Sequence, residues 1–285
     1  MGASRCPARS PCKGGPRVTH PALVVLSALF LWWASTGAIL WRVRRAGLGG
    51  PDDHLCSVLL GLPLLLGGVA GLHATAHDLT PGAIYLAFLS ALAIWGWLDL
   101  AFLSGVIAGP NRQPCPPGLV LRARFWRAMG TVLWPELALL AGGLALCAQI
   151  VVDAPNRFGL WAFAVLFFAR ISAKLNLFLG VPRIHTEFLP RPLAHLASHF
   201  RLAPMNPVFP LSILALTLAT ACWAGRAWTA TDPALQTGHI LLTALTALAL
   251  LEHWFMVLPL PDQKLWRWIL PDRPRAPAPA PSHRP

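Results

Sequence analysis

The chain has 285 residues, of which 55% are hydrophobic and only 12% are charged. A soluble domain normally carries about a quarter charged residues, so this composition favours a protein of the lipid bilayer. The formal net charge is +12, but the positive residues lie in loops and tails without a basic soluble module, which argues against nucleic-acid binding. The six cysteines form no CxxC pair, and neither a disulfide framework nor a metal site is predicted.

Seven apolar runs predict an all-α integral membrane protein, a polytopic bundle of about seven transmembrane helices. Residues 1–20 predict a disordered basic tail, residues 21–260 the membrane domain, and residues 261–285 a cytoplasmic tail rich in Pro and Ala. The predicted spans are residues 23–41, 55–72, 82–108, 129–152, 158–180, 207–225 and 235–258. The first run is too long for a cleaved signal peptide. Pro135 either kinks the fourth helix or marks its first turn, in which case residues 125–134 lie on the membrane surface.

The distribution of Arg and Lys predicts the orientation of the bundle. The loops after the first, third and fifth spans share a side with the C-terminus and hold most of the positive charge, whereas the opposite loops hold only Arg157 and Arg226. We therefore expect a multi-pass protein of the bacterial cytoplasmic (inner) membrane with its C-terminus in the cytoplasm. The basic residues before Val18 conflict with this orientation, and a true start near Val18 would remove the conflict.

Aromatic belts are indicated by Trp32, Trp33 and other tryptophans near the ends of the predicted spans. No GxSxG, HExxH or P-loop pattern is present, so no catalytic residues are predicted and the chain is not expected to be an enzyme.

Ionisable residues within the spans are costly unless they are paired, and each is therefore a candidate functional residue. They form a predicted intramembrane charged cluster: Asp99, Glu136, Arg170, Lys174 and Glu252. All five are predicted in the cytoplasmic half of the bilayer. Three roles are compatible with them: interhelical ion pairs that fix the packing, a proton or solute pathway, and a docking surface for the membrane helices of a partner.

Histidines are the second group of candidates. His73 and His77 are four residues apart, as are His195 and His199. This spacing can place two imidazoles on one metal, but without further ligands it is more typical of histidines exposed to water at the interface. His253 lies inside a span beside Glu252, where it could bond to that carboxyl or ligate the magnesium of a chlorophyll pigment.

Residues 183–203 predict a short helix that lies in the membrane interface. Its apolar positions follow a helical period, whereas its polar residues lie on other faces. A basic edge here would contact anionic headgroups or a partner protein. We assign this segment as a partner-docking loop with four candidate residues: Glu187, His195, His199 and Arg201.

Several distinctive blocks of sequence are spread from the first span to the end of the seventh and leave out only the two tails. The blocks are WASTGAILW (33–41), YLAF (85–88), GP (109–110), PCPPG (114–118), RISAKLNLFLGV (170–181), TEFLP (186–190), MNP (205–207), FP (209–210) and EHWFMVLPLP (252–261). Taken together, these blocks resemble the photosynthetic complex assembly protein 2 family (PuhE).

This resemblance implies a bacterium with a purple-type photosynthetic reaction centre and a membrane assembly factor for the reaction centre and light-harvesting complex, with an effect on bacteriochlorophyll incorporation. The expected partners are subunits of those complexes and the lipid bilayer. Bacteriochlorophyll is the candidate ligand, and no other cofactor is implied. An alternative is a carrier or transporter of bacteriochlorophyll or a precursor, and a pigment-modifying enzyme is a third. The resemblance implies no catalytic residues in this chain.

Overall fold

A computed structural model describes residues 19–151, 153–184, 186 and 189–259 of the chain. Its regular elements in this part of the chain are helices, and no strand is formed there. The α-helices are α1 (Pro21–Ala46), α2 (Pro51–Leu60), α3 (Leu62–Thr75), α4 (Pro81–Leu103), α5 (Leu121–Val151), α6 (Phe158–Leu179), α7 (Val208–Thr229) and α8 (Pro233–Phe255). Because α2 and α3 together make one span, the described residues contain seven helices long and apolar enough to cross a membrane. This confirms the predicted polytopic helical bundle.

The helix starts follow from the local sequence. Proline occupies the first turn of α1, α2, α4 and α8, where its missing N–H is not needed and its fixed φ suits the helix. The Thr80 side chain accepts a hydrogen bond from the Ala83 N–H at 3.3 Å. Asp232 accepts one from the Ala234 N–H at 2.6 Å. These side chains satisfy amide groups that would otherwise be left without partners in or near the bilayer.

Helices α4 and α8 form the centre of the bundle. More than half of the residues in the apolar stretch of each of these two helices are buried by protein, against 28% or less in the other spans. Their core side chains include Ile84, Phe88, Leu241 and Leu242, which pack with Phe163 of α6. The outer helices present apolar side chains to the lipid, as expected for spans that meet both protein and bilayer.

Pro135 lies inside α5, so the helix is continuous from Leu121 and residues 125–134 belong to it rather than to a separate surface segment. A proline cannot donate to the carbonyl four residues earlier. That carbonyl belongs to Thr131, and it instead accepts the Gly109 N–H at 2.9 Å. A Cβ atom at Gly109 would lie 1.9 Å from the Gly130 carbonyl oxygen, so only glycine permits this approach. The loop after α4 thereby satisfies the backbone group that the proline frees.

Several predicted span ends differ from the helix ends: α1 continues to Ala46 rather than 41, α5 begins at Leu121 rather than 129, and α7 continues to Thr229 rather than 225. Helix α4 ends at Leu103 rather than at residue 108, because Gly105 adopts a left-handed φ of 72° and starts a turn. Helix α8 ends at Phe255 rather than at residue 258. The predicted tails, 1–20 and 261–285, lie outside the described residues apart from Thr19 and His20.

The loop between α6 and α7 contains a 3₁₀ helix, Arg191–His199. Its three-residue period places Leu193 and Leu196 on one side, where they are 0% and 5% exposed and pack on Phe102 and Ala108. The apolar side of this segment therefore contacts the bundle. Residues of α4, of the loop after it and of α5 provide this apolar surface, and the position of the segment in the membrane interface stays a prediction.

Helices α3 and α4 approach closely at Gly68. A Cβ atom at this position would lie 2.8 Å from both the Ser90 carbonyl oxygen and the Ile94 side chain, whereas a Cβ atom at Gly67 would meet nothing within 4 Å. Small residues at such contacts let the backbones of membrane helices pack closely.

We expect Gly68→Ala to destabilise the protein by about 1–3 kcal/mol, because the methyl group overpacks the contact with α4. The adjacent Gly67→Ala should leave stability unchanged or raise it slightly, since alanine favours the helix. The midpoint of thermal unfolding in detergent measures both. Equal midpoints for the two variants would contradict the close packing of α3 on α4.

Candidate functional site

A cluster of charged side chains joins α4, α5 and α6 inside the bundle. Arg170 donates from Nη1 to Asp99 Oδ1 at 2.6 Å and from Nε to Glu136 Oε1 at 3.2 Å. Lys174, one turn further along α6, donates to the same Glu136 oxygen. Four of the five predicted cluster residues are therefore brought together, with two cations balanced by two carboxylates.

Phe102 packs against both cations of the cluster. Its ring centroid lies 4.8 Å from the Arg170 guanidinium and 4.7 Å from Lys174 Nζ. Trp95 adds a second ring 5.9 Å from the same guanidinium. The negative faces of aromatic rings attract cations, and this attraction is stronger where water is excluded. The rings thus shield the ion pairs on the side facing the core.

The cluster is shallower than the sequence predicts. Because α4 ends at Leu103, Asp99 lies only about 6 Å from the end of its helix at 1.5 Å per residue. Arg170 lies about 13 Å from the end of α6 by the same measure. Both helix ends lie at the same face of the membrane domain, and the placement of all five residues in one half of the bilayer stays a prediction.

Glu252 is the fifth predicted member, and it lies apart from the ion pairs. No Lys or Arg among the described residues pairs with it. It lines a cavity of about 260 Å³ between α1, α4, α6 and α8, together with Asp99 and Arg170. The Trp32 side chain is its hydrogen-bond partner. Trp32 therefore lies near the middle of α1 and lines this cavity, rather than forming part of a belt at the end of the span.

The cavity is lined by both polar and apolar side chains. Its charged side chains are those of Asp99, Arg170 and Glu252, Ser35 and Thr36 add hydroxyl groups, and most of the remaining lining is apolar. The site as a whole contains three carboxyl groups and two cations. Trp32 donates a hydrogen bond to this third carboxyl but brings no charge. A charge inside the bilayer is costly without a partner, so Glu252 calls for a bound proton or for a positive group from a ligand or partner.

His253 does not pair with the adjacent Glu252, and that expectation is wrong. Consecutive helical residues point about 100° apart, and His253 points inward with 1% exposure. Its Nδ1 lies 2.8 Å from the Ala249 carbonyl oxygen, and its Nε2 lies 2.9 Å from Ser172 Oγ on α6. Both ring nitrogens are occupied, so ligation of a pigment magnesium would require Ser172 to move away.

A buried amide network beside His253 was not predicted from the sequence. Asn176 of α6 donates from Nδ2 to Ser212 Oγ of α7 at 2.9 Å. Asn206 donates to Asn176 Oδ1 at 3.0 Å and to the Gly180 carbonyl at 2.8 Å, while its Oδ1 accepts the Val208 N–H that opens α7. Asn176 lies within an apolar run of the sequence, and this could have indicated the network, because buried amides hydrogen-bond across membrane helices.

The predicted docking loop is partly buried. His199 is 2% exposed, so its expected exposure to water is wrong, and His195 is half-buried whereas Arg201 is exposed. Arg124 of α5 holds the loop, because its Nη2 donates to the Phe178 carbonyl at 2.9 Å and to the His199 carbonyl at 2.8 Å. Glu187 lies outside the described residues.

The other predicted histidine pair, His73 and His77, is exposed at the opposite face. Within the described residues no group of three or more His, Cys, Asp or Glu is placed to hold a metal ion.

The fold and this site define a polytopic α-helical membrane protein with an ion-paired cluster inside its bundle. The chain belongs to the family described as "Protein of unknown function (DUF3623)", which matches residues 18–277. A relative from Rhodobacter capsulatus, described as an uncharacterized 30.4 kDa protein in the puhA 5′ region, is 60% identical over 254 residues. The match covers 89% of this chain and 92% of that relative. No solved structure matches the chain.

We expect Arg170→Gln to destabilise the protein by about 3–5 kcal/mol, because it leaves the Asp99 carboxylate without a cation while Glu136 keeps only Lys174. Adding Asp99→Asn should restore part of this loss in the double variant, since the stranded Asp99 charge is then absent. The midpoints of thermal unfolding in detergent are compared for the wild type, the two single variants and the double variant.

Arg157→Gln is the matched control, because Arg157 pairs with the exposed Asp153 at 2.8 Å. An exposed ion pair contributes little to stability. An Arg170→Gln variant that unfolds at the same temperature as Arg157→Gln would contradict the structural role of the cluster.

The docking of the 3₁₀ helix should depend on pH through His199. Burial lowers the pKa of His199 below its ordinary value of 6.5, and Arg127 and Arg124 nearby act in the same direction. The unfolded loop then binds the proton more readily than the folded one, so stability is present above about pH 6.5 and is lost as the pH falls through the lowered folded pKa.

We therefore expect proteolysis within residues 189–203 to accelerate on acidification from pH 7.5 to 5.5. His199→Gln should flatten this pH dependence, whereas His73→Gln at the opposite face should keep it. An unchanged pH profile in His199→Gln would assign the effect to another group.

Proposed function

We propose that this protein is a membrane assembly factor for the photosynthetic reaction centre and light-harvesting complex, and that it affects the incorporation of bacteriochlorophyll without catalysing a reaction. The observation that carries the proposal is the relative in the puhA 5′ region of Rhodobacter capsulatus, a photosynthetic bacterium, with 60% identity along 89% of the chain. The resemblance of the blocks between residues 33 and 261 to the PuhE family supports the same role.

The geometry of the cluster fits a protein that binds other membrane helices. Its two cations are directed at its own carboxylates, which fixes the relative positions of α4, α5 and α6. Glu252 is different, because it lies on the exposed side of α8 at the cavity next to α1. A helix of a reaction-centre or light-harvesting subunit could offer a donor to this carboxyl while apolar residues such as Leu251 and Phe30, both exposed, provide the contact surface.

The same proposal locates the protein in the bacterial cytoplasmic membrane with its C-terminus in the cytoplasm. The supporting feature is the concentration of arginine at one face. Arg112, Arg183, Arg191 and Arg201 lie in the loops 104–120 and 180–207, and Arg122, Arg124 and Arg127 lie in the first turns of α5. The positive-inside rule assigns this face to the cytoplasm. These loops would then face the cytoplasmic parts of the subunits being assembled.

A carrier of bacteriochlorophyll or a precursor is the second candidate, and the cavity is the observation that favours it. The cavity combines the apolar lining of Trp32, Trp95 and Leu92 with charged side chains. Its volume of about 260 Å³ is smaller than that of usual drug-sized ligand sites, about 300–1,000 Å³. A complete tetrapyrrole would therefore require the helices to move apart, and the assembly role is preferred.

Deletion of the gene in its native host tests the two candidates. For an assembly factor we expect membranes with reduced reaction-centre absorbance and normal pigment synthesis. Accumulated pigment precursor, with core complexes reduced only in proportion, would favour the carrier instead. Unchanged spectra and growth would contradict both.

Complementation with Glu252→Gln tests the proposed contact. We expect this variant to reach normal levels in the membrane but to retain less reaction-centre or light-harvesting subunit on copurification, because the amide no longer offers a carboxylate. Asp52→Asn, another exposed acid, should copurify like the wild type. Equal recovery with all three proteins would remove Glu252 from the contact.

A further inference from the structure

Two arginines line a second cavity, at the face of the membrane domain that carries loops 104–120 and 180–207. We call this face the basic face. The cavity has a volume of about 330 Å³ and is bordered by the loop from Cys115 to Leu119, by Arg124 of α5, and by Ser198, Phe200 and Arg201 after the 3₁₀ helix. It lies apart from the intramembrane cluster, and a ligand there does not depend on the assembly role proposed above.

The walls of this cavity are held in place by backbone hydrogen bonds. Arg201 donates its N–H to the Leu177 carbonyl at 3.0 Å, and its own carbonyl accepts the Val181 N–H at 3.1 Å. The Cys115 N–H donates to Ser198 Oγ at 2.9 Å, which ties the other wall to the same loop. The two sides are therefore positioned before any ligand arrives, and this lowers the entropic cost of binding.

Within the described residues, no carboxylate balances the charge of the cavity. The Arg201 charge is close enough to act on Arg124, and no carboxylate among the described residues pairs with either guanidinium. Arg127 and Arg124 both act on the buried His199 behind them. Arg124 uses only Nη2 for its bonds to the two backbone carbonyls. An anion between Arg124 and Arg201 would relieve their repulsion and complete their hydrogen bonding.

Exposed apolar side chains follow the lining residues of the cavity directly in the sequence. Val120 and Leu121 follow its first wall and are 72% and 58% exposed, and Leu202 follows Arg201 and is 74% exposed. Met205 and Trp126 are exposed nearby in sequence. Because the span of α5 begins at Leu121, these residues lie at the level where headgroups meet acyl chains, and Trp is favoured at that level.

We propose that this cavity binds the phosphate group of an anionic phospholipid, with Arg124 and Arg201 on the phosphate and Val120, Leu121 and Leu202 against its acyl chains. A free phosphate ion would use the arginines but would leave these exposed apolar side chains without a function. The combination of paired arginines with exposed apolar side chains at a helix end is the chemistry of a lipid headgroup site.

Arg201→Gln tests the site, because its side chain is exposed and forms no bond to another described residue. The purified protein is titrated with phosphatidylglycerol or phosphatidylcholine in mixed micelles, and bound lipid is counted by native mass spectrometry. We expect the wild type to prefer phosphatidylglycerol and Arg201→Gln to bind it at least about fivefold more weakly. The affinity of Arg201→Lys should lie between those of the wild type and Arg201→Gln, since lysine keeps the positive charge but cannot form the bidentate hydrogen bonds of a guanidinium.

Arg191→Gln is the control, since it removes one exposed charge from the same loop outside the cavity. Near-normal binding by this variant supports a localised site, whereas an equal loss in both variants would mean diffuse attraction to the basic face and would overturn the proposal. Equal binding of the two lipids by the wild type would overturn it as well. If inorganic phosphate competes at the same concentration as the lipid, the site binds a free phosphate ion and the lipid proposal is wrong.

Discussion

The pairing of Arg170 with Asp99 and Glu136 is the interaction on which the bundle depends. Each of these groups alone would be costly at bilayer depth, and the guanidinium can serve two carboxylates at once because its N–H groups point in several directions. Lys174 completes the balance. The aromatic rings of Phe102 and Trp95 occupy the remaining sides of the cations. These ion pairs fix α4, α5 and α6 in their depth in the membrane and in their rotation about their own axes. Apolar packing between equally apolar surfaces would fix neither the depth nor the rotation.

Backbone polarity imposes a second constraint, and the chain meets it with loops. Pro135 frees the Thr131 carbonyl inside a span, and the Gly109 N–H satisfies it. Asn156 likewise satisfies backbone carbonyls at the opposite face, where its Nδ2 donates to the carbonyls of Thr75 at 3.1 Å and Asp78 at 3.0 Å. Short loops that donate to helix ends keep carbonyls satisfied where water is scarce. The loops are thus part of the packing of the bundle and do more than connect its helices.

Much of the architecture could be predicted from the sequence, because the spans are long apolar runs and their charges are few. Asp99, Glu136, Arg170 and Lys174 could be grouped as a candidate cluster since an unpaired charge in the bilayer is improbable on energetic grounds. The inward direction of His253 could not be predicted, because it depends on the rotation of α8. The 3₁₀ helix and its burial depend on the apolar surface offered by Phe102 of α4 and Ala108 of the loop after it, which are distant in sequence. The Asn176 and Asn206 network likewise joins residues 30 positions apart.

The order of the charged residues along the chain has a consequence for biogenesis. Asp99 and Glu136 are synthesised before Arg170 and Lys174, so α4 and α5 enter the membrane carrying carboxyl groups whose cations are still in the ribosome or its exit tunnel. The native charge balance is reached only once α6 has been inserted. Helices α4, α5 and α6 therefore form one insertion unit, and α8, which shares the centre of the bundle with α4, can close over it only afterwards.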